Sequence, residues 1–239
     1  MPSSRPRIEF DINGVCNSCN YQKKKETIDW NERRAQFEDL CNKHRSKDGN
    51  YDCIVPWSGG KDSSSIAYKL KHTFKMNPLL TTFSPLIPSK IGIVNRELLL
   101  NTGFDNYFFR PDQKISRYLS KRFFIERGNP KVHWDAGINA FPVKVAMEKN
   151  IKLIFYAEHG ESEYGGKVLG DDSDKIRDVS EVLENQVGDD PTNWVDEVVS
   201  KNDLNMYKYP SPEELNEKKI HATIFHIFLN GTSMRILNL

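Results

Sequence analysis

Trp57-Ser58-Gly59-Gly60-Lys61-Asp62-Ser63-Ser64-Ser65 follows Tyr51-Asp52-Cys53-Ile54-Val55-Pro56, which reads as a short buried strand. It precedes Ile66-Ala67-Tyr68-Lys69-Leu70-Lys71-His72, which reads as the first turns of a helix. Strand, glycine-rich turn and helix form the geometry that binds phosphate. Two glycines let the backbone come close to an anion, and a side chain at Gly60 would block it. Free N–H groups at the helix start point at the anion with the helix dipole behind them. Serine hydroxyls add donors and Lys61 adds positive charge. The loop is not a Walker A loop, because no Gly-x-x-x-x-Gly-Lys-Ser/Thr is present. A glycine-rich turn with incidental serines is the plainer alternative. The complete Ser-Gly-Gly-x-Asp-Ser pattern between a strand and a helix outweighs it.

The 239 residues suit one α/β domain, with or without an appendage, and are enough to bury a sizeable core. Lys and Arg total 34 against 33 Asp and Glu, a net charge of +1 that gives no argument for a nucleic-acid or membrane partner. Mean hydropathy is −0.63, and no apolar run approaches a membrane span. The start, Met1-Pro2-Ser3-Ser4-Arg5-Pro6, lacks the apolar stretch of a signal peptide, so a cytoplasmic protein is expected. Four cysteines do not make a disulfide scaffold.

Cys16-Asn17-Ser18-Cys19 is a knuckle of metal-ligand spacing just after a turn. Structural zinc wants four ligands, and Cys41 and Cys53 do not form a second knuckle; both read as core thiols. A redox role is the weaker alternative, since no thioredoxin-like βαβ unit follows directly. Residues 28–47 read as a helix with Trp30, Ala35, Phe37 and Leu40 towards one side. Beyond the loop, the helix is expected to run to about Phe74 and a second strand to cover Leu79–Phe83. A helix over 91–102, a strand over 105–110, a helix from Asp112 to Glu126, a helix from about Ile138 to Lys149 and a strand over 151–156 follow. This alternation implies a parallel sheet with helices on both faces, with ligands beyond the strands' carboxyl ends. Three loops meet that condition: Trp57–Ser64, Ser84–Ser89 and Ala157–Gly166. The last reads Ala157-Glu158-His159-Gly160-Glu161-Ser162-Glu163-Tyr164-Gly165-Gly166. Its carboxylates suit magnesium or an ammonium-like nucleophile, with an exposed polar loop as the alternative. Phe83, closing the second strand at the same edge, joins the candidate nucleotide set. Residues 170–218 read as a charged, solvated helical extension.

The Ser58–Ser64 pattern resembles the PP-loop of the N-type ATP pyrophosphatases, whose fold is Rossmann-like. With Phe10-Asp11-x-Asn13-Gly14-Val15-Cys16-x-x-Cys19, Tyr51-Asp52-Cys53-Ile54, Gly103-Phe104-Asp105 and Glu158-x-Gly160-x-x-Glu163-Tyr164-Gly165-Gly166, the chain is similar to the N-acetyl sugar amidotransferase branch of that superfamily. Those enzymes belong to bacterial surface-polysaccharide pathways, including O-antigen and pseudaminic or legionaminic acid synthesis. The resemblance implies a partial zinc-ribbon-like segment over 1–27, a PP-loop ATP pyrophosphatase domain over 28–170 and a helical extension over 171–239.

The resemblance also implies the chemistry. ATP and Mg2+ would be used, with Ser58, Gly59, Gly60, Lys61, Asp62, Ser63, Ser64 and Phe83 binding the nucleotide. An N-acetyl oxygen on a sugar or sugar nucleotide would be adenylated, and ammonia would replace it to give an acetamidine. Lys61, Asp62, Glu158 and Glu163 are the implied catalytic set, with Glu161 a further candidate. Asp62 either holds magnesium or caps the helix. Free ammonia is scarce, so the resemblance implies a separate glutaminase subunit as its source; neither Cys41 nor Cys53 sits on a glycine-flanked elbow. A PP-loop enzyme that modifies tRNA is the alternative; it would want a basic face, and Lys23-Lys24-Lys25 is the one short basic run.

Family members open with a Cys-x-x-Cys just ahead of a Met-Pro. Here Met1-Pro2 begins the chain, so Cys16 and Cys19 stand for half of the expected Zn2+ set, and a start inside the gene is expected. The tail from Leu229 to Leu239, back-translated and read one frame over, can give a family-like aromatic stretch. A frameshift near Phe228 is the expectation, and an inactive, truncated nucleotide-binding remnant is a further alternative to the enzyme.

Overall fold

The computed structural model describes residues 3–4, 7–157 and 187–229. Strands β1 (Cys53–Pro56), β2 (Pro78–Phe83), β3 (Asp105–Phe109), β4 (Leu153–Tyr156) and β5 (His221–Ile224) make one sheet, all parallel, in the order β3-β2-β1-β4-β5. Strand residues alternate between two apolar cores. Ile54, Leu79, Phe83, Ile154, Tyr156 and Ile224 face one, while Cys53, Val55, Leu80, Leu153 and Phe155 face the other. A sheet buried on both faces needs helices on both, as the alternating sequence pattern implies.

Asp29 starts α2 (Trp30–His44) by accepting from the Asn31 and Glu32 amides, and α2 follows the short α1 (Asn17–Lys25). Helix α3 (Lys61–Tyr68) runs on through a π-helical turn at Lys69–Thr73. Ser89 caps α4 (Lys90–Leu100), and Asp112 caps α5 (Gln113–Arg127), which ends on Gly128 in the left-handed region. The helix expected from Ile138 starts earlier, as α6 (Val132–Lys149), and carries Pro142 inside it. Pro142 removes one backbone donor, yet α6 is buried along most of its length, and its tertiary packing overrides the local penalty.

Two aspartates of the resemblance motifs prove to be scaffold. Asp52 is buried and accepts from the Ser46 and Asn77 amides at 2.6 Å each, tying the starts of β1 and β2 together. Asp105 accepts from the Tyr51 hydroxyl at 2.9 Å. Both lie at the amino ends of strands, away from the edge where ligands bind.

The C-terminal part corrects the expectation of a solvated helical extension. Its described residues hold a 3-10 turn (Pro191–Trp194), the seven-residue α7 (Pro212–Lys218) and β5, which completes the sheet beside β4. Trp194, Val199, Leu204 and Tyr207 are buried in the same core as α5 and α6. His133 of α6 lies there too, 3 % exposed, with its ring 6.1 Å from Tyr207. Burial pushes its pKa down to about 4, from 6.5. Between those values the unfolded chain takes up a proton that the native state refuses, so stability falls as pH drops through the window. The expected loss is about 3 kcal/mol at pH 4 relative to pH 7. Urea midpoints across that range test it, and His133→Gln should flatten the slope; an unchanged slope would refute the assignment.

Candidate functional site

The turn after β1 is pinned at entry and exit. The buried Trp57 donates its N–H to the Thr81 carbonyl at 2.8 Å, and its own carbonyl accepts from the Thr82 hydroxyl at 2.8 Å. Its indole N–H reaches Ser64 Oγ at 2.8 Å, tying the start of the turn to α3. Between these anchors Gly59 takes φ +84°, which only glycine adopts without strain. Gly60 is the N-cap residue, and its N–H donates to Ser58 Oγ at 3.2 Å. The first intrahelical bond runs from the Ser64 N–H to the Gly60 carbonyl at 3.1 Å. The amides of Lys61, Asp62 and Ser63 are therefore left without intrahelical acceptors, at the positive end of the α3 dipole.

The serines divide their work. Ser63 is buried and its hydroxyl leans on the Gly60 carbonyl at 3.4 Å, while Ser64 Oγ accepts from Trp57. Ser58 is exposed at the tip. Lys61 is exposed at the first helical position. Asp62 stands one residue further in, within the first turn of α3, whose N-cap Gly60 offers no side-chain cap. A half-buried carboxylate beside three open amides fits a divalent cation that accompanies phosphate.

The strand order places this turn at a topological switch. From β1 the chain steps outward to β2 and β3, then returns to β4 on the other side. In open parallel sheets the crevice beyond the carboxyl ends at such a switch is where ligands sit. The loop that begins at Ala157 leaves β4 at that edge, but Glu158, Glu161 and Glu163 lie outside the described residues. Phe83 closes β2 at this edge. Its ring is 5 % exposed and packs with Phe109 and Tyr207, each 5.5 Å away. A Cβ on Gly137 of α6 would come within 2.4 Å of that ring. The Phe83 side chain thus belongs to the core, and only its backbone remains at the edge.

Two residues that the sequence reading passed over stand beside the turn. Arg96 of α4 packs on it: a Cβ on Gly59 would lie 3.7 Å from Arg96 Cβ. His226, in the 3-10 turn after β5 (Phe225–Ile227), hydrogen-bonds the Ala157 backbone at the end of β4. Burial is the main influence holding its pKa below the ordinary value, opposed by that bond and by the Asp62 carboxylate. Its Nε2 is buried and has no partner among the described residues. No local pattern marks either residue, because both reach the turn from elements distant in sequence.

The Cys-x-x-Cys pair is formed as a unit. Asp11 closes a tight turn by accepting from the Asn13 and Val15 amides, which sets Cys16 at the N-cap of α1. The Cys19 amide, the largest influence, lowers the Cys16 pKa, and the facing Cys16 sulfur raises that of Cys19. Among the described residues no group of three or more His, Cys, Asp or Glu could hold a metal. Two thiols do not complete a four-ligand zinc set, so no role is derived from zinc. Burial pushes the Cys41 thiol up to about 12 and Cys53 well above its ordinary value, as expected of core thiols. Among the described residues no helix is long and apolar enough to cross a membrane.

No protein-family model matches the chain, and no curated protein sequence matches it. Among solved structures the chain is similar to an NH3-dependent NAD synthetase from Campylobacter jejuni, crystallised with nitrate. Identity is 15 %, coverage 80 % of this chain and 93 % of that one, and the TM-score 0.42. It is also similar to a predicted subunit of a tRNA methyltransferase from Methanocaldococcus jannaschii. There identity is 20 %, coverage 56 % of this chain and 63 % of that one, and the TM-score 0.30. Likenesses this distant carry no argument about chemistry, and the α/β assignment rests on the sheet itself.

Proposed function

We propose that the chain is a PP-loop enzyme that splits ATP between its α- and β-phosphates and uses the adenylate to activate an N-acetyl oxygen of a sugar or sugar nucleotide. The observation that carries the nucleotide part is the turn Ser58–Ser64. It combines a left-handed Gly59, three open amides and Lys61 at the switch point of a parallel sheet. The sugar part rests on the motif resemblance.

The amide oxygen attacks the α-phosphorus, the bond to the β-phosphate oxygen breaks, and pyrophosphate leaves. Ammonia then adds to the activated carbon, AMP departs with the former amide oxygen, and the acetamidine remains after proton loss. The amides of Lys61, Asp62 and Ser63 hold the departing phosphates, and Lys61 counters their developing charge. Asp62 would hold Mg2+, which neutralises phosphate charge when bound. Ammonia comes from a glutaminase partner in this reading.

The test is release of pyrophosphate and AMP from MgATP, with ammonium and a panel of acetamido sugar nucleotides. Release that depends on the sugar supports the proposal. Release that depends on RNA would move the assignment to tRNA modification, and ATP binding without release would make the chain a non-catalytic nucleotide binder. Lys61→Ala is expected to lower kcat about a hundredfold, the scale of removing one charge-stabilising donor. A kcat within about threefold of the parent would remove Lys61 from the mechanism.

A further inference from the structure

We infer that Arg96 is a second cation of the phosphate site, gripping from the α4 side the same phosphates that the Gly59–Gly60 turn holds. The inference rests on the nucleotide reading above and adds a residue to it.

Three observations converge. The first is contact: Arg96 Cβ and the Gly92 carbonyl oxygen each lie 3.7 Å from where a Cβ on Gly59 would be, so α4 runs directly along the turn. The second is direction. Helix α4 begins at Ser89, just beyond the loop that leaves the carboxyl end of β2, so its N-terminus is at the ligand edge. Helical side chains lean towards the N-terminus of their helix, which carries the Arg96 side chain towards that edge. There its guanidinium lies 4.5 Å above the Phe108 ring, one residue from the end of β3. A guanidinium stacked on a ring keeps its in-plane donors free for an anion.

The third observation is that the group is under-satisfied. Arg96 Nε is buried and has no hydrogen-bond partner among the described residues. The acidic neighbour of this side chain, Glu97, approaches Nη2 only to 3.8 Å and is itself largely exposed. A charged group drawn from water without hydrogen bonds is unfavourable unless something else supplies acceptors. A phosphate chain on the adjoining turn does so, in the planar two-point geometry that arginine offers and lysine does not. Lys61 from α3 and Arg96 from α4 then flank the pyrophosphate that leaves during adenylation.

Calorimetric titration of the purified chain, Arg96→Gln and Arg96→Lys with ATP, pyrophosphate and AMP, all with magnesium, tests this. Arg96→Gln should weaken ATP and pyrophosphate about tenfold or more and leave AMP within about twofold, because AMP lacks the phosphates concerned. Arg96→Lys should fall between, restoring charge without the fork. Unchanged pyrophosphate affinity in Arg96→Gln overturns the inference. So does an equal loss for AMP and pyrophosphate, which would make Arg96 a packing residue for the turn. Should the unsubstituted chain bind neither ATP nor pyrophosphate, the nucleotide reading itself fails, and the Arg96 inference falls with it.

Discussion

Replacing Gly59 with alanine is expected to weaken ATP binding by about ten- to a hundredfold while leaving the protein folded. At φ +84° an L-residue is strained by roughly 1–2 kcal/mol, so the turn would relax into a different backbone path. The packing itself tolerates a methyl, since the neighbours Arg96 Cβ and Gly92 O are at 3.7 Å, an ordinary contact. What is lost is the aim of the amides, and each charge-assisted bond to phosphate contributes about 1.5–3 kcal/mol. Gly60 differs: its φ of −76° and ψ of 164° suit any residue, and a Cβ there meets only Ser58 Oγ, at a tight 3.1 Å that a turn of the serine side chain relieves. Gly60→Ala should therefore be milder than Gly59→Ala. Gly60→Val should still abolish binding, because its branches fill the space above the helix start. Titrating ATP against the three variants tests the ranking. Parent-like affinity in Gly59→Ala would show that the phosphates bind elsewhere.

Trp194→Ala is expected to lower stability by about 3–5 kcal/mol, the range for deleting a fully buried aromatic side chain. Trp194 is 0 % exposed, and its ring meets Phe123 edge-on at 4.8 Å. Its indole N–H donates to Asp189 at 2.8 Å, and Asp189 is held by both terminal nitrogens of Arg127 at 3.0 Å. Arg122 binds the Trp194 carbonyl at 2.8 Å and Asp196 at 3.0 Å, so the buried indole and two arginines of α5 together seat the 189–196 segment. Against a typical total of about 5–15 kcal/mol, the loss is large enough to read from a urea titration followed by circular dichroism. A change below about 1 kcal/mol would mean that the segment is a detachable appendage.

That second result bears on what was legible. The turn Trp57–Ser64, the cap Asp112 and the run of strands up to Tyr156 are local signals, written within a few residues of where they act. The sequence reading found them because a glycine before a helix start, or an aspartate before a helix, has the same meaning wherever it occurs. His221–Ile224 escaped it: four residues with no alternation become β5 only because β4 offers an unpaired edge. Phe83 shows a related limit. Its position at a strand end was legible, but the core packing of its ring, for which Gly137, 54 positions later, leaves room, was not.

By itself the sequence determined a parallel α/β sheet and a glycine-rich turn between the first strand and the helix after it. Periodicity, glycine placement and capping are properties of short stretches of chain. Tertiary structure alone decided which groups surround that turn. Arg96 arrives along α4, His226 arrives after β5, and the apparent tail delivers Trp194 and the fifth strand to the core. Such meetings depend on strand order and on which residues the buried faces bring into contact, and no local window of the chain contains them.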